Sequence, residues 1–157
     1  MVRLNGVVSF GSVNMMLTYV NVTSRGNKEH LGMAGTVAIA GTQSSATMTM
    51  NVDAVDYNDA SKTLRIENFV QSLFDYVSYQ ESSMSGKFYN FNEGYVVVST
   101  ITPFRVNKGD MNPTSGELRI SGTSNSSARM IVNATGYTVS TDEDGDGTYE
   151  TSTAGAW

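Results

Sequence analysis

Residues 45–55 read Ser45-Ala46-Thr47-Met48-Thr49-Met50-Asn51-Val52-Asp53-Ala54-Val55. Ala46, Met48, Met50, Val52 and Ala54 alternate with Thr47, Thr49, Asn51 and Asp53. That is a period of two, at which successive side chains leave a strand on opposite faces. One face is apolar and the other polar, as in an antiparallel sheet that covers a core on one side. The stretch decides the fold class.

The chain on either side repeats the pattern. Upstream, Met16, Thr18, Val20 and Val22 share a face against Met15, Leu17, Tyr19 and Asn21. Arg25-Gly26-Asn27 reads as a turn, and Val37 and Ile39 face one way within His30 to Gly41. Downstream, Asp56 to Ser61 is a turn of residues that hydrogen-bond their own backbone, and Leu64 and Ile66 open the next strand. Phe69, Val70, Leu73, Phe74 and Val77 also fit a helical spacing. Their aromatic and β-branched content favours a strand with a bulge.

A turn over Ser82 to Gly86 follows, then a strand from Phe88 and a tight hairpin at Asn92-Glu93-Gly94. The β-branched run Tyr95 to Ile101 ends at Pro103, and residues 105–116 read as irregular. Strands at Glu117 to Ser121, Ala128 to Val132, Tyr137 to Thr141 and from Thr148 complete the chain. About ten strands at this even spacing predict an all-β fold. We expect one domain over residues 1–157, an antiparallel meander forming a sandwich or a curved half-barrel.

Composition excludes several functions. The 157 residues suffice for one cored domain, and 39% hydrophobic with 16% charged residues is too apolar for a disordered chain. With no cysteine there is no disulfide, thiolate nucleophile or Cys-ligated metal. The net charge of -5 and the lack of a basic run argue against nucleic acid as a partner. No stretch is apolar over the length of a membrane span, and residues 1–20 lack the plan of a signal peptide.

The acidic residues are unevenly spread. Asp142-Glu143-Asp144-Gly145-Asp146-Gly147-Thr148-Tyr149-Glu150 holds acids and no bases, while the acids and bases elsewhere cancel. Asp142, Asp144, Asp146, the Thr148 carbonyl and Glu150 occupy positions 1, 3, 5, 7 and 9 of a calcium loop, with Gly147 at the sharp turn. Thr153 stands where a bidentate Glu would close such a loop, and strand-like flanks argue against an EF-hand. Two readings stand: a looser calcium site on a hairpin, or a solvated turn of residues that tolerate positive φ.

Several segments of the second half carry a resemblance. They are Gly86-Lys-Phe88-Tyr89, Gly94-Tyr95 through Pro103-Phe104, Pro113-Thr-Ser-Gly116 through Gly122, Ala128-Arg129, and the acidic turn followed by Trp157. Together they resemble a group of bacterial exported all-β proteins, often predicted lipoproteins, with no settled molecular function. The similarity lies mainly over residues 86–157 and implies an antiparallel β fold in a periplasmic, cell-surface or secreted location. The chain departs from the group in lacking a signal and a lipobox cysteine, which leaves anchoring open.

Other constellations are weaker. His30, the single histidine, lies beside Lys28 and Glu29 and reads as an exposed loop residue without a role. No G-x-S-x-G elbow marks a hydrolase. The patch Phe69, Phe74, Tyr76, Tyr79, Phe88, Tyr89, Phe91 and Tyr95 should form a core between sheet layers with Met48, Met50 and Met130, while Tyr79, Tyr89 and Phe91 could instead line a groove. The expectation is a non-enzymatic extracytoplasmic structural or interaction module, calcium-stabilised at the acidic turn, with a protein, glycan or lipid-like partner. The alternative is a carrier of a lipid-like or glycan ligand in a concave apolar groove.

Overall fold

A computed structural model describes residues 4–9, 12–17, 20–24, 27–42, 44–56 and 59–157, with side-chain surroundings for 34–42, 44–55 and 63–157. The described residues form strands β1 (Leu4–Ser9), β2 (Ser12–Leu17), β3 (Val20–Ser24), β4 (Asn27–Gly41), β5 (Ser45–Asp56) and β6 (Asp59–Asp75). They continue with β7 (Tyr79–Asn90), β8 (Gly94–Asn107), β9 (Ser115–Ser121), β10 (Ser127–Asn133), β11 (Gly136–Asp142) and β12 (Thr151–Ala156). A 3-10 turn at Thr123–Asn125 joins β9 to β10.

All lie in one antiparallel sheet, ordered β1-β2-β4 and then in chain order to β12, with β3 also paired to β4. From β4 onward each strand pairs with the one before it, and the sheet does not close into a barrel. This is the all-β meander that the alternation predicts. The upstream alternation is divided between β2 and β3, which pair with different halves of β4. Thr18, Tyr19, Arg25, Gly26, Tyr57 and Asn58 lie outside the described residues.

The register sorts side chains onto two faces. Val37, Met50 and Phe69 stand in one row across β4, β5 and β6. Gly86, Val98, Ile120 and Ala128 continue that face across β7 to β10. The buried apolar residues Val37, Val52, Phe69, Val98, Phe104 and Val132 all belong to it. The other face carries polar ladders, such as Arg65 on Asp53 at 2.6 Å and Arg129 on Glu117 at 2.9 Å.

Three aromatic rings on the apolar face lie over glycines of a neighbouring strand: Phe69 over Gly86, Phe104 over Gly116 and Tyr137 over Gly155. A ring laid flat on a glycine is covered by its own sheet. Phe69 also meets Phe88 edge-on, with centroids 5.8 Å apart. Phe69 and Phe104 are thereby only 8% exposed, and Phe69 takes the core position expected of it, whereas Phe74, Tyr76, Phe91 and Tyr95 are exposed because the described residues form a single sheet with no second layer to cover them.

The ambiguous run 69–77 is strand through Asp75, and β6 is bulged at its start against both β5 and β7. Asn68 takes a positive φ of 51° there, and its N–H donates to Asn51 Oδ1 at 2.8 Å. Ser82 to Gly86 is not a turn but the interior of β7, and the reversal falls at Tyr76–Ser78. The serines mark a bulge, where Thr100 Oγ1 accepts from Met84 N–H at 2.8 Å and donates to Met84 O at 3.0 Å.

Pro103 does not end its strand, for β8 runs on to Asn107. It falls inside the second of two register shifts against β9, between Thr102 and Arg105, where it has no ladder partner on β9. The irregular segment shrinks accordingly to 108–114. The last strand starts at Thr151 rather than Thr148, because the acidic turn occupies the residues between. His30 lies in β4 opposite Asn21, not in a loop.

Candidate metal centre

The acidic turn is the loop of the β11–β12 hairpin. Thr141 pairs with Thr151, and Glu150 N–H closes the ladder on Thr141 O at 2.9 Å. Asp142, the last residue of β11, is 4% exposed and lies opposite the buried Ser127 of β10. Its Oδ1 accepts from Gly145 N–H at 2.8 Å and its Oδ2 from Gly147 N–H at 3.2 Å. One buried carboxylate therefore bends the next five residues around itself.

The rest of the loop repeats the device. Asp144 Oδ1 accepts from Asp146 N–H at 3.1 Å, and Asp146 Oδ1 from Thr148 N–H at 2.6 Å. Glu150 Oε2 accepts from Glu143 N–H at 2.8 Å, which turns its carboxylate back over the loop. Gly145 is required twice. Its φ is +78°, and a Cβ there would overlap the Ser124 carbonyl of the β9–β10 turn.

The result is convergence. One carboxylate oxygen each from Asp142, Asp144, Asp146 and Glu150 lies within 4.8 Å of all the others. Oxygens bound to one calcium at about 2.4 Å can be no more than about 4.8 Å apart, and the four meet that condition. None of the ion pairs among the described residues reaches them. The cluster could hold a metal ion.

Four of the five residues named from spacing are thus brought together. Thr148, named for its carbonyl, is placed by its N–H on Asp146. Thr153 lies in β12 opposite Val139 and adds no carboxylate. Strand flanks replace the helices of an EF-hand, as the sequence indicates. What spacing could not show is the burial of Asp142 and the seat that Ser124 and Asn125 provide for Gly145, since both depend on how β9–β10 packs against the loop.

The three groove candidates separate. Tyr89 and Phe91 line one open cavity of about 340 Å3, together with Asp53 and Arg65. Tyr79 lies apart from it, stacked on Tyr76 at 4.6 Å with the Arg105 guanidinium 3.7 Å from its ring centroid. No protein-family model, curated protein or solved structure matches the chain.

Proposed function

We propose that the protein is a non-enzymatic, extracytoplasmic structural or interaction module whose last hairpin is stabilised by calcium. The convergence of four carboxylates in one short loop carries this reading. Carboxylates so close together repel one another, and a divalent cation removes that repulsion. An all-oxygen donor set suits a hard cation, calcium above the softer transition metals.

The same chemistry supports the extracytoplasmic location. A loop with no bidentate Glu at its end belongs with weak sites, of order 10⁻⁴–10⁻³ M, which fill in extracellular calcium. The resemblance of residues 86–157 to exported all-β proteins points the same way. Metal binding would tie β12 to β11 from the side of the loop and leave the broad sheet free for partners.

Titrating calcium into the 15N-labelled protein tests this. Saturable amide shifts over 142–150, absent in Asp144→Ala and Asp146→Ala, are expected. Equal shifts with magnesium, or none with either ion at about 10 mM, would overturn it.

A further inference from the structure

We propose that the cleft beside the β7–β8 hairpin binds a neutral saccharide, with Tyr89 and Phe91 as stacking surfaces and the Asp53–Arg65 pair as the polar contact. The cleft names a partner class for the interaction module, so it rests on that reading, but it uses none of the calcium residues.

Asp53, Arg65, Tyr89 and Tyr95 form one continuous row across β5, β6, β7 and β8 on the polar face. Tyr95 sits at 5.4 Å from Tyr89 with the Lys87 ammonium over both rings. Neither Tyr95 nor Lys87 lines the cleft, so this pair backs Tyr89 from outside it. Where β7 ends, Phe91 donates its N–H to Thr63 O of β6 at 3.2 Å, which fixes the hairpin as a wall. Phe91 nonetheless leaves its ring 70% exposed. Exposed in the lining of the cleft beside Tyr89, it offers a second aromatic surface to a ligand there. The open cleft, of about 340 Å3, falls at the lower end of the range of small-molecule sites.

The charged pair in the lining chooses among ligands. Arg65 Nε and Nη2 both donate to Asp53, at 2.6 and 3.3 Å, which holds the Arg65 pKa above its ordinary value. The two charges cancel, so the cleft favours neither anion nor cation. An alkyl chain laid over this pair would strip its water and return no hydrogen bond. Sugar hydroxyls replace that water. They can accept from the guanidinium N–H groups that Asp53 leaves free and donate to the carboxylate, while apolar C–H faces of the ring pack on Tyr89 and Phe91. Asn90 adds an amide at the rim.

The test is an amide-shift titration of the full chain with neutral trisaccharides of glucose, mannose, galactose and N-acetylglucosamine, with decanoate as the apolar probe. At least one trisaccharide should shift the Arg65, Tyr89, Asn90 and Phe91 amides, and Phe91→Ala and Tyr89→Ala should each weaken it tenfold or more. Phe91 is exposed, so that variant should unfold at the wild-type temperature and keep its calcium response. Asp144→Ala should bind the saccharide as the wild type does, which separates this proposal from the calcium reading. No shift with any trisaccharide, or shifts at these amides with decanoate alone, would overturn it.

Discussion

Asp75 and Lys108 show what single residues contribute at the surface. Lys108 Nζ donates to Asp75 Oδ1 between the end of β6 and the loop after β8. That bond, with a smaller one from Gln80, holds the Asp75 pKa below the usual carboxylate value. A carboxyl depressed on folding stabilises the native state above its unfolded pKa, and the contribution disappears as pH falls through the lowered folded value. Carboxyl NMR titration should find Asp75 below ordinary aspartate, and Lys108→Ala should move it back up. An unchanged Asp75 in the variant would show the pair to be unformed in solution. At this scale the acidic turn was the most legible feature, since i, i+2, i+4 spacing with glycines between is a local property. The burial of Asp142 was not legible, because it depends on strands β9 and β10.

At the scale of elements, the aromatic–glycine pairs explain how a meander shelters large rings. Gly116 has a φ of +153°, and a Cβ there would run into the Phe104 ring. Gly116→Ala should therefore destabilise the protein by about 1–3 kcal/mol in urea unfolding. Phe104→Leu should make the same change cheaper, a coupling that a double-mutant cycle reads directly. Additive effects would mean that the ring does not rest on the glycine. Period-two alternation placed β5, β9, β10 and β11 well because each half-buried strand advertises its own faces. Ser82 to Gly86 and Pro103 misled because a bulge and a turn draw on the same residues. Which of them forms depends on the partner strand, here through Thr100 bridging Met84.

At the scale of the molecule, the sheet is neutral overall and the net charge of -5 sits at one hairpin loop. The fold class was legible across the whole chain, and so were Tyr89 and Phe91 as groove residues, whereas the polar side of their cleft was not. That side joins Asp53 to Arg65, twelve positions apart, through register alone. If the charged loop binds calcium in the folded state, thermal unfolding in about 10 mM calcium must differ from unfolding in EDTA. For a millimolar site, mass action gives about 1.4 kcal/mol, a rise of about 3–6 °C for a chain of this size. The wild type should show that rise, and Asp144→Ala and Asp146→Ala should each lose it. Identical midpoints in calcium and EDTA would contradict calcium binding and leave the loop a solvated turn.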